Sequence, residues 1–271
     1  FVAERTMAFL DEERPGPFFA IAGFYSPHSP WVAPQEYLDL YDPDTLALPP
    51  PPEEGGSWES RQGFETEAQV RSARQGYYAM VSEVDHHVGR ILDKLDARGL
   101  RENTIVIFTS DHGEYLGDYG RWGKGFPAHD CIGRVPMVGR WPAGIRQPGR
   151  TVDGIVEAVD ILPTLLECAG IPAPVYLQGR SVAAMFSDAN APGRDSALTE
   201  GNGRKSLRTE RYRYTIDRDG VETLFDLEAD PNALTDVADR PDYGEVLSSH
   251  RKRLIERTLD AEALLPRTWA Y

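Results

Sequence analysis

An apolar run, Ile105-Val106-Ile107-Phe108, breaks directly into Thr109-Ser110-Asp111-His112-Gly113-Glu114, and this junction limits the folds open to the chain more than any other stretch. The run reads as a buried strand. Ahead of it, from Glu67 to Arg98, apolar residues recur at Val70, Ala73, Tyr77, Met80, Val84, Val88, Ile91 and Leu95, which is helical spacing, and Gly99 is a natural stop. Helix, short connection, strand and polar loop is the order of a doubly wound α/β sheet, in which ligands collect outside the carboxyl ends of the strands. Asp111 and His112 are adjacent and can ligate a divalent metal; Lys124, farther along the same Gly-rich loop, can hold an anion. Asp and Gly also occur in ordinary turns after any strand. The convergence of Asp118 and Lys124 on the same loop is what favours a site.

Other segments follow the same logic. Residues 18–24, Phe-Phe-Ala-Ile-Ala-Gly-Phe, read as a second, fully buried strand, followed directly by Pro27-His28-Ser29-Pro30-Trp31. A lone His is more often structural, but His28 occupies a second strand end and so becomes a candidate for the same site. The stretch from Asp42 to Gly63, with four consecutive prolines from Pro49 and Gly55-Gly56, reads as an irregular loop. Arg134-Val135-Pro136-Met137-Val138 is a weaker apolar segment. Asp160 to Gly170 reads as a helix with Asp160 as N-cap. Tyr212-Arg213-Tyr214-Thr215-Ile216 and Thr223-Leu224-Phe225-Asp226-Leu227, around Asp219-Gly220, read as a β-hairpin, and an amphipathic helix from about Tyr243 to Leu259 should cover one of its faces. The texture changes near residues 190–200, where a domain boundary is expected.

Charge narrows the partners. The formal net charge of -14 argues against nucleic acid and anionic membrane surfaces, and no run has the length of a membrane span. An anionic substrate would need a local positive site, and among 29 basic residues the few lysines include Lys124 in the polar loop. Neither Cys131 nor Cys168 has zinc-type or C-x-x-C spacing. His86-His87 lie within the long helix, where neighbouring side chains diverge by about 100° and cannot easily share one metal, so they read as surface. Gly117 to Lys124 misses P-loop spacing, and Gly125 stands where Ser or Thr is required. Gly201-Asn202-Gly203 lacks the third dinucleotide glycine, and Gly179-Arg180-Ser181-Val182-Ala183 lacks the last glycine of a nucleophile elbow.

Four pieces in order resemble the later part of a sulfatase, within the alkaline-phosphatase-like superfamily. They are Gly23 to Trp31; Thr109-Ser110-Asp111-His112-Gly113 through Gly123-Lys124; Arg134-Val135-Pro136-Met137; and Val159-Asp160-Ile161-Leu162-Pro163-Thr164 with the downstream Leu224-Phe225-Asp226-Leu227-Glu228-Ala229-Asp230-Pro231. The resemblance implies an α/β fold: the later part of an alkaline-phosphatase-like mixed sheet flanked by helices over residues 1–195, then a small C-terminal α+β subdomain over residues 196–271. It implies that Asp111 and His112 ligate a divalent cation, calcium or in some members manganese. Lys124 would contact the sulfuryl oxygens, and His28 would hydrogen-bond the ester oxygen and help protonate the leaving alcohol.

His112 stands where many sulfatases have Asn, which is more similar to the branch holding phosphonate monoester hydrolases and choline-sulfatase-like enzymes. The family's formylglycine nucleophile, made from Cys in C-x-[PA]-x-R, has no counterpart here, because Cys131 and Cys168 do not fit that motif. It is expected upstream of Phe1, in an N-terminal part of the same protein, so these residues alone are expected to be inactive. The expected activity of the complete enzyme is hydrolysis of small-molecule or glycan sulfate esters, releasing inorganic sulfate. The alternatives are a phosphonate monoester or phosphodiester hydrolase and a non-catalytic protein that binds sulfated glycans. Trp122 and His129, with Trp31, Trp58 and Asn202, are the candidates for reading the substrate.

Overall fold

Thr66 starts the long helix as expected. Its hydroxyl accepts from the Gln69 N–H while the Gln69 side chain accepts from the Thr66 N–H, a capping box that satisfies two helix-end donors at once. The computed structural model describes residues 1–49, 66–201 and 203–262; Trp58, Asn202 and the later part of the expected Asp42–Gly63 loop lie outside them. The helices are α1 (Val2–Asp11), α2 (Gln35–Leu38), α3 (Glu67–Ala97), α4 (Asp130–Gly133), α5 (Ile161–Cys168) and α6 (Gly244–Asp260). The strands are β1 (Val106–Thr109), β2 (Met137–Arg140), β3 (Ser196–Gly201), β4 (Arg204–Thr209), β5 (Tyr212–Asp217) and β6 (Glu222–Asp226). β1 pairs with β2 in a two-stranded sheet, and β3-β4-β5-β6 form an antiparallel meander. The architecture is mixed α/β.

Two units divide the chain. The first comprises Phe1–Ile107, Glu114–Gly123 and Gly139–Ala143; the second comprises Phe108–Gly113, Lys124–Val138 and the chain from Gly144 onward. In the first, α1 and α2 lie on α3. Asp11 pairs with Lys94 at 2.7 Å and Glu4 with Arg90 at 2.5 Å. Ala79 and Met80 of α3 pack with Ala33, Trp31 and Tyr37. Gly76 makes that approach possible, since a Cβ there would lie 2.5 Å from the Trp31 carbonyl oxygen. His86 and His87 sit on the outer part of α3, as their spacing predicted. His86 meets the Tyr37 hydroxyl at 3.2 Å, and His87 lies 4.0 Å from Glu83.

In the second unit the register aligns Leu207 with Tyr214 and Tyr214 with Leu224. These three residues line one face of the meander at 0–1% exposure and are covered by Leu247 and Leu254 of α6 and by Val237. Successive side chains alternate faces, so Ser206, Arg208, Arg213, Thr215 and Phe225 point the other way. That face receives residues 127–130: the Ser206 hydroxyl donates to the Pro127 carbonyl at 3.0 Å, and Arg208 and Arg213 both donate to the Asp130 carboxylate.

Three expectations need correction. Residues 18–24 are not a buried strand; they carry no strand pairing among the described residues, and Phe19 and Ile21 are 71% and 82% exposed. An apolar run records how strongly a segment gains from burial, and burial itself requires a neighbour. β1 is likewise only partly covered, with Phe108 at 38% exposure. The weak apolar segment runs into β2, which begins at Met137. Asp160 precedes α5 but makes no side-chain cap to it. Its carboxylate accepts from the N–H groups of Glu157 (3.0 Å) and Arg180 (2.8 Å) and from Arg194 Nε (2.9 Å).

Candidate active site

β1 ends at Thr109, and the next four residues fold back on themselves. The Ser110 hydroxyl donates to the His112 carbonyl at 2.9 Å, and the His112 N–H donates to Asp111 Oδ1 at 2.9 Å. The Gly113 N–H then donates to the Ile132 carbonyl at 2.9 Å. Gly113 belongs here for a steric reason: a Cβ would run into the carbonyl oxygen of Cys131. The chain next makes an excursion, Glu114–Gly123, that is closed at its neck. The Glu114 carboxylate accepts from the N–H groups of Gly123 and Leu116, and the Tyr115 N–H donates to the Gly123 carbonyl at 3.0 Å. Lys124 follows directly.

This path brings three of the expected residues together. Lys124 Nζ lies 2.9 Å from His112 Nε2, and His112 Nε2 lies 3.5 Å from the Asp111 carboxylate. His112 Nδ1 is 2.7 Å from the Gly113 carbonyl, which can only accept, so Nδ1 carries the proton and Nε2 presents its lone pair. Partial burial works to raise the pKa of Asp111, but the His112 N–H and the nearby imidazole outweigh it and hold the carboxyl below its ordinary range. The Asp111 side chain is 84% exposed.

The chemistry of these donors fits two positions of a divalent site. The carboxylate and the imidazole Nε2 lie 3.5 Å apart and are donor types that divalent cations accept, although Nε2 is also within hydrogen-bond distance of Lys124 Nζ. Among the described residues, no group of three or more His, Cys, Asp or Glu side chains completes such a site.

Asp118, expected with Lys124, has a different place. Its carboxylate pairs with Arg74 of α3 at 2.6 Å, and Arg74 also donates to the carbonyls of Leu116 (3.2 Å) and Ala47 (2.8 Å). Burial raises the Asp118 pKa more than Arg74 lowers it. Asp118 therefore ties down the excursion. His129 is 3% exposed, with its ring 5.5 Å from that of Phe225. Trp122 and Trp31 lie ring to ring at 5.6 Å within the first unit.

His28 is exposed and also belongs to the first unit. Its N–H closes a turn on the Tyr25 carbonyl at 3.0 Å, and its Nδ1 meets the Tyr25 hydroxyl at 2.8 Å and the Ser29 carbonyl at 2.7 Å.

Sequence reasoning missed Arg208 and Arg213. They sit in β4 and β5 and hold Asp130, six residues beyond Lys124. Burial pushes the Asp130 carboxyl up, but these two guanidinium groups outweigh it and keep the pKa low. The available signal was the alternation in β5, which sends Arg213 to the face opposite Tyr214; β4 offered none for Arg208.

Comparison with known proteins identifies the family. A sulfatase family model matches residues 1–171, and a model described as N-sulphoglucosamine sulphohydrolase, C-terminal, matches residues 117–260. An arylsulfatase of Clostridium perfringens is 30% identical over 94% of this chain and 56% of its own length. A choline-sulfatase of Rhizobium meliloti is 31% identical over 85% of this chain and 48% of its own. The chain thus spans about half the length of these relatives. The crystal structure of a phosphonate monoester hydrolase of Agrobacterium radiobacter superposes with a TM-score of 0.84 at 27% identity, covering 96% of this chain and 60% of that one. With a family model matching more than half of its residues and a relative 30% identical across nearly all of them, the chain belongs to the sulfatase family, of alkaline-phosphatase-like fold.

Proposed function

We propose that the complete protein hydrolyses sulfate monoesters and releases inorganic sulfate. The observation that carries this reading is the Lys124 ammonium beside the His112 imidazole and the Asp111 carboxylate at the end of β1. Lys124 holds the sulfuryl oxygens and offsets the charge that gathers on them as the ester bond breaks. Asp111 and His112 would hold a divalent cation, calcium or manganese. When bound, such an ion acts as a Lewis acid on the sulfuryl group. His28 gives a proton to the departing alcohol oxygen. A formylglycine from a C-x-[PA]-x-R motif outside these residues supplies the nucleophile, so residues 1–271 alone bind the anion without turnover.

The test is the complete protein with an aryl sulfate, comparing native with Lys124→Ala. Turnover that survives the substitution intact overturns the reading. A second reading, phosphonate monoester hydrolysis with the same residues in the same roles, is favoured by the structural similarity to a phosphonate monoester hydrolase. The ratio of kcat/KM for an aryl sulfate and an aryl phosphonate decides between them. Binding of sulfated glycans with no turnover of either ester would instead point to a non-catalytic protein.

A further inference from the structure

The proton-bearing end of His28 is set by a small local arrangement of Tyr25, His28 and the Ser29 carbonyl. The turn itself, closed by the His28 N–H on the Tyr25 carbonyl at 3.0 Å, carries both side chains to the same side. Their rings lie 4.7 Å apart, tilted by 42°. His28 Nδ1 lies between two oxygens, the Ser29 carbonyl at 2.7 Å and the Tyr25 hydroxyl at 2.8 Å, and that hydroxyl is itself 3.3 Å from the same carbonyl. A carbonyl accepts only, so the imidazole donates from Nδ1. The Tyr25 O–H can then donate to the Ser29 carbonyl while its oxygen shares the Nδ1 proton. All three contacts are satisfied by one tautomer, with hydrogen on Nδ1 and the lone pair on Nε2.

We infer that Tyr25 is a positioning residue for His28: by keeping hydrogen on Nδ1 and holding the ring's orientation, it makes Nε2 the atom from which the imidazolium delivers its proton to the leaving group. This rests on the general-acid role proposed above for His28. As a formylglycine oxygen bonds to sulfur and the S–O bond to the alcohol breaks, the electron pair of the broken bond stays on the alcohol oxygen, which takes the proton from Nε2 of the imidazolium. The ring left behind is neutral with hydrogen on Nδ1, the form that the Ser29 carbonyl and the Tyr25 hydroxyl stabilise. Tyr25 thereby fixes which ring nitrogen gives up the proton without touching the substrate.

The experiment compares native, Tyr25→Phe and His28→Ala forms of the complete protein on an activated aryl sulfate and on an alkyl sulfate, whose alkoxide needs protonation. His28→Ala should lower kcat about 100-fold on the alkyl ester and far less on the aryl ester. Tyr25→Phe should show the same bias in weaker form, about tenfold on the alkyl ester and within about twofold on the aryl ester. The 15N shifts of the His28 ring should show hydrogen on Nδ1 in the native protein and a mixture of tautomers in Tyr25→Phe. If His28→Ala shows the leaving-group bias and Tyr25→Phe does not, the positioning role of Tyr25 is overturned while the role of His28 stands. If His28→Ala shows no bias, the general-acid reading fails and the inference falls with it. An unchanged tautomer in Tyr25→Phe would also overturn the role of Tyr25.

Discussion

Lys124 Nζ and His112 Nε2 stand 2.9 Å apart, although ten residues of chain separate Gly113 from Lys124. The excursion between them is closed at its neck by Glu114 and Gly123, so a sequence separation of twelve becomes one hydrogen bond. Removing the ammonium leaves the imidazole and carboxylate in place and takes away the positive charge beside them. In the complete protein, Lys124→Ala should lower kcat/KM for sulfate esters by about 100-fold to 1,000-fold, the loss usual for one preorganised donor to a developing anion. Steady-state kinetics with one aryl ester measures it.

Metal binding should depend on the pair at the end of β1. Calcium and manganese prefer more ligands than one carboxylate and one imidazole supply. Isothermal titration of residues 1–271 with either ion should therefore give weak binding, abolished by Asp111→Ala and by His112→Ala alike. Chelation should inactivate the complete enzyme. Full activity after exhaustive chelation would remove the metal role from Asp111 and His112.

Gly113 permits the path of the loop, and the cost of replacing it follows from where a Cβ would land. The obstacle is the main-chain carbonyl of Cys131, which cannot turn aside as a flexible side chain does. Gly113→Ala should either separate the 110–113 loop from residues 131–132 or lose stability by about 2 kcal/mol or more. Urea unfolding measures the second outcome, and loss of metal binding with the fold retained marks the first.

Much of this structure could be read from the chain, and what could not has identifiable causes. The long helix was legible from its apolar stripe and its Gly99 stop; the Thr66–Gln69 capping box that starts it went unread. The hairpin of β5 and β6 was legible because Tyr214 and Leu224 alternate with polar neighbours around Asp219-Gly220. β4 was not, since Arg204-Lys205-Ser206-Leu207-Arg208-Thr209 has a single apolar residue. Its other face is buried by hydrogen bonds to residues 127–130, which leave no hydrophobic signature. Asp111, His112 and Lys124 were legible as a cluster from their place after a strand. Asp118 was grouped with them wrongly, because its partner, Arg74, lies 44 residues earlier and no spacing reveals it. Two of the motifs that carried the family resemblance have structural roles within the second unit: Asp160 gathers Glu157, Arg180 and Arg194, and Asp226 anchors the turn after β6.

Arg74 and Asp118 should not be equivalent when removed. Arg74 is 9% exposed and serves two carbonyls besides the carboxylate, so Arg74→Ala leaves three acceptors without their donor and should cost about 3 kcal/mol. Asp118 already pays more in lost hydration than Arg74 returns, as the direction of its pKa shift shows. Asp118→Asn keeps an acceptor for Arg74 and should cost less than half as much. Equal losses in denaturant titrations of the two variants would show that the ion pair itself, rather than the carbonyl contacts of Arg74, holds the excursion.

Asp226 gives the clearest pH signature. Its carboxylate, 2% exposed, accepts from Arg211 Nε at 3.0 Å and Nη2 at 2.7 Å, from the Tyr243 hydroxyl at 3.1 Å, and from the N–H groups of Glu228 and Ala229 at 3.2 and 3.3 Å. Arg211 lowers the pKa most, burial opposes it, and the remaining donors help to bring it from 3.8 to about 2. The folded form therefore binds this proton more weakly than the unfolded chain does. Its stabilisation is complete above the unfolded pKa of about 4 and fades as the pH falls toward about 2. Asp226→Asn should cost about 2 kcal/mol at neutral pH, and the difference from the native protein should shrink through that acid window. Melting temperatures of the two forms between pH 7 and pH 2 measure it: a gap that stays constant with pH would mean that the charge of Asp226 contributes nothing and that its neutral hydrogen bonds hold the turn.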